Sequence, residues 1–223
     1  MVNKVFITAL VSFLCMVSAM PNAFAMSRQN YQPCSTAQCG EIPAIWQEQA
    51  RRASETRITQ THSRDFSAVE TLRLANRIYQ EVMQSTVFTD DMDAYGKRDI
   101  YPTRAELEAG KKDGKYRGDC TTFSHLFYYR LIDSGIDPAR LKRVRMDLKR
   151  RPGKVTNHMA VLLDDKYLLD SAEPSRRVIR FERSYGTPKM WLTESAAGWY
   201  QAARGQSPIV DINFTGFSLA LQH

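Results

Sequence analysis

The sequence is poor in the side chains that bind transition metals, since four cysteines and four histidines occur among its 223 residues. Cys34 and Cys39 are separated by four residues, but no second pair of cysteines or histidines accompanies them, as a structural zinc site requires. The sequence also lacks internal repeats, low-complexity tracts and a second long apolar run. These absences exclude zinc-finger, repeat and multi-spanning membrane proteins, and they predict an ordinary globular domain.

The single long apolar run lies at the N-terminus and has the features of a secretory signal. Lys4 precedes an apolar stretch over residues 5–20, and Ala23-Phe24-Ala25 is an A-x-A cleavage sequence. A stretch of roughly 16 residues is short for a membrane span, and no stop-transfer charges follow it. We expect cleavage after Ala25, a periplasmic or secreted protein, and no transmembrane span in the mature chain.

The remaining chain is long enough for one domain with a full core. We divide the sequence into the signal peptide (1–25), a polar N-terminal extension (26–64) and one folded domain (65–223). The full sequence carries 31 Lys and Arg against 24 Asp and Glu, a net charge of +7. Such a modest excess in a secreted domain does not indicate nucleic-acid binding, and we predict none.

Three cysteines remain once cleavage of the signal has removed Cys15. In an oxidising compartment, Cys34 and Cys39 are expected to form a local disulfide near the new N-terminus. This pairing leaves Cys120 as an odd thiol in a secreted chain. An odd thiol is either a buried structural side chain or a reactive group, so Cys120 is the candidate nucleophile.

The segment around Cys120 has the pattern of a helix start. Gly118 and Asp119 form a turn before the cysteine, and Gly135 ends the pattern. The apolar residues between them have the spacing of a helix that packs on one side: Phe123, Leu126, Phe127 and Leu131. Cys120 then lies at the positive end of the helix dipole, where free N–H groups favour a thiolate.

Helical patterns dominate the first half of the domain and strand patterns the second. Capping boxes at 67–70 and 103–106 predict a helix ending near residue 84 and a second, short helix. Between them, the acidic run 90–93 lacks the spacing of a calcium loop and predicts a solvated turn. Strand patterns fall at residues 144–149, 157–163, 166–170, 178–181 and 209–214, and the first alternates as a strand with one wet face does. Helices followed by an antiparallel meander define an α+β fold.

A thiol nucleophile needs a base, and the base needs a group that fixes its orientation. His223 is terminal, and His62 lies in a polar connection. His125 lies in the predicted helix of Cys120, five residues further on, which rotates it off the face of the cysteine. His158, at the start of an apolar strand, is therefore the candidate base.

Asp170 ends the strand that is expected to pair with the strand of His158. The two side chains share a face of the hairpin only if the positions of paired residues have an even sum. A three-residue loop over 163–165, with Leu162 opposite Lys166, meets this condition, whereas a two-residue loop does not. The sequence therefore predicts an odd loop or a bulge here. Taken singly, His158 is equally compatible with a hydrogen-bonded core histidine and Asp170 with a strand-end cap.

Four blocks of sequence resemble a known family. They are residues 91–107 (DMDAYGKRDIYPTRAEL), Gly118-Asp119-Cys120, Asn157-His158-Met159-Ala160-Val161 and Tyr167-Leu168-Leu169-Asp170. In this order they resemble the bacterial transglutaminase-like cysteine peptidases, which include the LapG-type periplasmic adhesin proteases. The resemblance runs from about residue 74 to residue 171, half of the mature chain.

This resemblance implies a papain- or transglutaminase-like fold, with N-terminal helices and the nucleophile helix packed on an antiparallel sheet. It implies a catalytic triad of Cys120, His158 and Asp170 that cleaves a peptide bond in a protein substrate. The backbone N–H of Cys120 would act as oxyanion donor, with support from Asp119 or Tyr101. For LapG-type members the substrate is a surface adhesin and the regulator an inner-membrane receptor, which implies a role in biofilms.

Calcium is the cofactor that the resemblance raises. LapG-type members bind it with the aspartate before the cysteine and with a Glu-Asp pair after it. Asp119 is present here, but Thr121 and Thr122 stand in place of the two acids. Because a hard cation needs several carboxylate oxygens, we predict no cofactor and no metal. The family's common Tyr-Trp pair is also altered, to Ile100-Tyr101.

Three other functions remain open. An NlpC/P60-type peptidoglycan amidopeptidase shares the Asp-Cys-Thr helix start and a later histidine strand, although Asp170 favours the first interpretation. A non-catalytic periplasmic adaptor of the same fold would bind a partner through a surface such as the basic stretch 140–154, which holds eight Lys and Arg. A transglutaminase would pass the acyl group to an amine instead of water.

Overall fold

The computed structural model of this protein describes residues 31–34, 44, 46–47, 64–97, 100–151, 154–184, 186–193 and 197–202. The predicted signal peptide, Cys39, most of the extension 26–64 and the predicted strand at 209–214 lie outside these ranges. The limits of the three predicted segments and the Cys34–Cys39 disulfide therefore stay predictions. None of the described helices is long and apolar enough to cross a membrane.

The helices of the described residues are α1 (Ala68–Ser85), α2 (Asp91–Tyr95), α3 (Arg104–Ala109) and α4 (Cys120–Asp133). Both predicted capping boxes are present, Ser67 with Glu70 before α1 and Thr103 with Glu106 before α3. Each box satisfies backbone N–H groups that a helix start leaves without partners. The predicted limits of α1 are therefore confirmed to within one residue.

The strands are β1 (Tyr31–Cys34), β2 (Thr86–Phe88), β3 (Tyr116–Gly118), β4 (Leu141–Arg151), β5 (Lys154–Leu163), β6 (Tyr167–Leu169), β7 (Ile179–Arg180), β8 (Gly186–Leu192) and β9 (Ala197–Ala202). Seven form one antiparallel sheet in the order β1-β9-β8-β4-β5-β6-β7, and β2 pairs in parallel with β3. Because β1 lies at the edge of the large sheet, part of the N-terminal extension is built into the domain. Helices on an antiparallel sheet confirm the predicted α+β class.

The helix α4 lies at the centre of the molecule, packed between α1 and β5. Eleven of its 14 residues are buried, so the prediction of a helix packed on one side is wrong. The buried residues of α4 include threonine, serine and histidine side chains, and a pattern of apolar residues cannot predict the burial of such polar groups. Phe127, stacked on Tyr79 with ring centroids 5.3 Å apart, joins α4 to α1. Burial of each such ring contributes about 1.5–3 kcal/mol.

The hairpin of β5 and β6 has the predicted odd loop, but its register differs from the predicted one. Leu163 pairs with Tyr167 around a loop of three residues, and Leu162 pairs with Leu168 instead of Lys166. The partner of Leu162 has moved by two positions, so the faces of the hairpin are unchanged. Asp170 directly follows β6 and keeps the side that the prediction required.

Two loop aspartates explain where this turn closes. Asp164 and Asp165 both have a positive φ, at 56° and 52°, which aspartate tolerates better than most residues. The Nε and Nη2 atoms of Arg140 each donate to one oxygen of the Asp164 carboxylate at 2.7 Å, and Nζ of Lys142 donates to Asp165 at 2.6 Å. These ion pairs fix the loop one residue later than the sequence pattern indicates.

The prediction that β4 has a wet face is wrong. Arg145 and Asp147 are each 5% exposed, and Arg143 is 3% exposed. The guanidinium carbon of Arg143 lies 4.6 Å from the ring centroid of Tyr128, and that of Arg145 lies 5.6 Å from Tyr101. Aromatic faces on α4 and before α3 thus replace water as neighbours of these cations.

The acidic run 90–93 is partly solvated as predicted, with Asp90 and Asp93 exposed, but it forms the start of a helix and not a turn. Asp90 caps α2 by accepting the N–H of Met92 at 2.9 Å. Asp91 is only 5% exposed, and its Oδ2 accepts the N–H of Ile100 at 3.0 Å. The run therefore starts a helix and holds the following segment back against it.

Candidate active site

Cys120 is the first residue of α4 and carries a free, half-buried thiol. The preceding Asp119 is the N-cap, and its Oδ1 accepts the N–H of Thr121 at 2.8 Å. The other oxygen of Asp119, Oδ2, lies 4.0 Å from the sulfur. The sulfur thus lies at a helix N-terminus, directly beside the carboxylate that caps the helix.

Gly118 forms the tight connection from β3 into α4. Its φ is +154°, and a Cβ atom at this position would lie 2.0 Å from Oγ1 of Thr122. A side chain cannot occupy that space, so the chain can bring Cys120 directly after the strand only with glycine here. The Gly-Asp-Cys sequence is therefore a local requirement of the strand-to-helix turn.

His158 and Asp170 meet in the interior, beside this helix start. The His158 Nε2 lies 2.5 Å from Oδ1 of Asp170, and the two side chains are 4% and 1% exposed. The same carboxylate oxygen accepts the N–H of Ala172 at 2.7 Å. The hydroxyl of Tyr79 donates to the backbone carbonyl of Asp170 at 3.0 Å. His158 and the N–H of Ala172 thus hold the carboxylate of Asp170, and Tyr79 holds its backbone.

The environment of His158 favours its protonated form. Burial lowers the pKa of this imidazole, but the charge and hydrogen bond of Asp170, with a smaller contribution from the nearby Cys120 side chain, raise the pKa to about 10. His158 is therefore an imidazolium at neutral pH. His158 and Asp170 are in direct contact, and the side chain of Cys120 lies near the imidazole.

Tyr101 and Cys120 contribute to one apolar cluster under the site. Tyr101 is 7% exposed, and Cys120 packs against the cluster that contains it. Within the described part of the chain, the buried hydroxyl of Tyr101 has no hydrogen-bond partner. A buried hydroxyl without a partner costs free energy, and a site that binds an oxyanion can supply the missing acceptor.

Of the two histidines in the described ranges, only His158 contacts Asp170. His125 is 2% exposed within α4, and its ring centroid lies 6.2 Å from that of Tyr101 and 6.0 Å from that of Tyr129. It is a member of an aromatic cluster with Tyr101 and Tyr129. His62 and His223 lie outside the described ranges.

The residues at the helix start do not fit calcium. Thr121 donates its N–H to Asp119 and hydrogen-bonds to it with its hydroxyl as well. Oγ1 of Thr122 lies 3.0 Å from the Tyr95 hydroxyl, so it is also engaged. Among the described residues, no three of His, Cys, Asp and Glu are grouped as a metal ion requires.

Three groups of this site were not predicted from the sequence. Tyr79 has the spacing of a core residue of α1, and nothing in the sequence shows that its hydroxyl reaches Asp170. The N–H of Ala172 is a backbone donor that sequence patterns do not register. Tyr95 lies in the family-like segment, but its contact with Thr122 joins two elements that are 27 residues apart.

No protein-family model matches this chain, and no curated protein is similar to it in sequence. Among solved structures it is similar in fold to calcium-bound LapG of Legionella pneumophila, with 15% identity and a TM-score of 0.47 over 78% of this chain and 98% of LapG. A second LapG structure from the same organism gives 13% identity and a TM-score of 0.45, covering 75% of this chain and 90% of LapG. The EGTA-treated form of LapG gives 15% identity and a TM-score of 0.46, covering 74% of this chain and 90% of LapG.

At this level of identity and structural overlap, the similarity concerns the fold alone. It assigns no chemistry to Cys120, His158 or Asp170.

Proposed function

We propose that this protein is a cysteine peptidase with Cys120 as nucleophile, His158 as general acid and base, and Asp170 as the group that orients His158. One observation carries the proposal. The buried His158 ring hydrogen-bonds to the carboxylate of Asp170, and the nearby side chain of Cys120 helps to raise the pKa of the same ring. A base placed between a thiol and a carboxylate is the arrangement that nucleophilic catalysis requires.

The proposed reaction is the hydrolysis of a peptide bond through a thioester. The Cys120 thiolate attacks the carbonyl carbon, and the C–N bond breaks as the His158 imidazolium gives its proton to the leaving amine. His158 is then neutral and accepts a proton from water, which attacks the thioester. The carboxylic acid product leaves, and the thiolate–imidazolium pair is restored.

Two donors are candidates for stabilising the oxyanion of this reaction. As the first residue of α4, Cys120 has an N–H without a partner inside the helix. The buried hydroxyl of Tyr101 is the second. Asp119 has a different role in this proposal, because an ionised carboxylate accepts hydrogen bonds and cannot donate them. It holds the helix start through the N–H of Thr121.

We further infer that the reaction takes place in the periplasm on a protein substrate. The A-x-A sequence at residues 23–25 supports export, and the family resemblance supports a surface adhesin as substrate and an inner-membrane receptor as regulator. Shedding of an adhesin from intact cells that express the wild type, and its retention with Cys120→Ala, would test this substrate. Retention with both would contradict it.

The proposed chemistry is tested by labelling the purified mature protein with a thiol-directed acyl probe. We expect labelling at Cys120 in the wild type and none in Cys120→Ala. His158→Ala should slow labelling by roughly 10²–10⁴-fold, the usual contribution of a general acid–base. His125→Ala is the matched control, because it removes a second buried histidine, one that lies on α4 and not beside Asp170, and it should slow labelling far less. Equal rates for His158→Ala and the wild type would overturn the triad.

The alternative functions have different products. An NlpC/P60-type amidopeptidase would release peptide fragments from muropeptides, and a transglutaminase would incorporate a labelled amine into a glutamine-containing protein. The adaptor alternative loses support because four side chains of its basic stretch already have partners within the chain. Arg140 and Lys142 form ion pairs with Asp164 and Asp165. Arg143 and Arg145 lie over the rings of Tyr128 and Tyr101. We expect cleavage of a protein substrate to exceed both rival activities.

A further inference from the structure

Hydroxyl groups tie the start of α4 to the segment around α2. The Tyr95 hydroxyl lies 3.0 Å from Oγ1 of Thr122. Oγ1 of Thr121 lies 3.1 Å from the carbonyl oxygen of Ile100 and also hydrogen-bonds to Asp119. A hydroxyl carries one proton, so Thr121 donates to one of these two acceptors at a time. We name the hydroxyls of Tyr95, Thr121 and Thr122 the hydroxyl clasp.

The far end of the clasp is itself fixed. The N–H of Ile100 donates to Oδ2 of the buried Asp91 at 3.0 Å, while its carbonyl faces Thr121. Both backbone polar groups of Ile100 are therefore held, one by α2 and one by α4. This fixes the residue directly before Tyr101, the candidate oxyanion donor.

The electrostatics of the clasp keep Tyr95 neutral. Burial raises the pKa of Tyr95 most, its hydrogen bond with Thr122 lowers it, and the charges of Asp91, Asp119 and Glu106 raise it further. A neutral phenol can share its proton with a threonine without adding charge to this carboxylate-rich place. The clasp therefore joins the two segments at no cost in charge repulsion.

The space around Thr122 leaves no room for a longer acidic side chain. Thr122 is fully buried, and its Cβ and Oγ1 lie against the bare backbone of Gly118, which cannot accept a Cβ atom. Asp91 and Asp119 each already use one oxygen to accept a backbone N–H. A calcium ion takes six to eight oxygen ligands, and each hydroxyl of the clasp is already engaged in a hydrogen bond within the protein.

We infer that the hydroxyl clasp braces the start of α4 in place of a calcium ion, so that neither folding nor the reactivity of Cys120 depends on that metal. The inference concerns the proposed peptidase site and rests on the proposed function only for its reactivity part. Tyr95 and Thr122 are positioning residues in this account, because they act on Cys120 through the first turn of α4.

The first test is thermal unfolding of the mature wild type in excess calcium and in excess EGTA. A calcium site at hundredfold ligand excess over its Kd would raise Tm by roughly 5–10 °C in a domain of this size. We expect equal Tm values in the two solutions. A rise of Tm with calcium, saturating with concentration, would overturn the inference whether or not the protein is a peptidase.

The second test is a double-mutant cycle of Tyr95→Phe and Thr122→Val, which remove the two hydroxyls and keep the shapes. Each single change should lower Tm by about 2–4 °C, the shift for one lost hydrogen bond. The double variant should lose hardly more than either single variant, because both changes remove the same bond. Additive losses would contradict the clasp. Tyr167→Phe, another buried tyrosine, is the control and should change Tm less.

The rate of Cys120 labelling separates this inference from the proposed function. We expect EGTA to leave the wild-type rate unchanged and Tyr95→Phe to lower it severalfold at a temperature where the variant is fully folded. Absent labelling in every variant, combined with the expected Tm pattern, would reject the peptidase and retain the clasp. Labelling that EGTA abolishes would reject the clasp and retain the peptidase.

Discussion

The two sides of the candidate site differ in how they are built. The cysteine side is local: β3, Gly118, Asp119 and the first turn of α4 follow one another in sequence, and the thiol remains half-buried. The base side is assembled from a hairpin, and His158 and Asp170 are almost completely buried. The comparison indicates a division of tasks. In the proposed mechanism, the buried side sets the charge of the site, and the open side receives the substrate.

Burial gives the base side its strength. In the interior, the interaction of Asp170 with His158 is weakly screened, and it outweighs the cost of removing the imidazolium from water. On the cysteine side, contacts to solvent weaken such effects, and the hydrogen bond that Asp119 accepts from Thr121, together with the clasp, holds the geometry instead. Changes to the two sides should therefore have different signatures.

The largest effect is expected on the base side, from Asp170→Asn. An amide has no negative charge and stabilises the imidazolium much less than a carboxylate does, so acyl-probe labelling at neutral pH should fall by roughly 10²–10⁴-fold. Asp164→Asn is the matched control, since it removes a carboxylate and an ion pair from the same hairpin without touching His158. Equal losses in both variants would show that the hairpin, and not the carboxylate, is responsible.

The second prediction concerns pH and uses the stability of the wild type. The folded pKa of His158, about 10, lies above the ordinary value of 6.5, so the folded state binds the proton more tightly than the unfolded state. This contribution is complete below pH 6.5 and is lost as the pH rises towards about 10. Urea unfolding should show that decline in the wild type and a flatter profile in His158→Gln. Parallel profiles would refute it.

The cysteine side should respond to Gly118→Ala through sterics alone. A Cβ atom at this position meets Thr122, and the backbone conformation is unfavourable for alanine, so we expect a loss of about 3 kcal/mol or more. Gly96→Ala is the control, because Gly96 also has a positive φ but an added Cβ meets nothing within 4 Å. It should cost about 1 kcal/mol. Chemical denaturation measures both, and similar values would contradict the close approach.

The smallest effect should come from a place remote from both sides. Ser67→Ala removes the cap of α1 and should cost about 1 kcal/mol of unfolding free energy. Labelling of Cys120 should not change, because the lost bond affects only the first turn of α1. Slower labelling in this folded variant would mean that general stability, and not the local geometry, controls the thiol.

The features that the sequence predicted correctly depend on neighbours along the chain. The capping boxes of α1 and α3, the cysteine at the start of α4 and the odd loop after β5 all follow from short spacings. Each is decided by backbone hydrogen bonds within a few residues. The approach of His158 to Asp170 could be predicted for the same reason, since one short hairpin carries both.

The features that the sequence did not predict depend on contacts between distant elements. Arg143 and Arg145 occupy the positions of a wet strand face, and only the aromatic rings that face them make burial favourable. Strand β8 contains Pro188, and a proline in a sequence segment argues against a strand. In the structure, a register shift between β8 and β4 lies beside Pro188, and such an irregularity tolerates a residue without an N–H. The clasp joins residues whose proximity only the folded chain establishes.

The deep placement of α4 has a consequence for whatever reaches the sulfur. In the proposed peptidase, a helix enclosed along its length offers Cys120 end-on, so an extended polypeptide substrate must lie across the tip of the helix and cannot run alongside it. Discrimination between substrates then depends on the few residues that surround this tip. Substitutions along the body of α4 would alter how well the protein folds, whereas substitutions around its tip would alter which bond it cuts.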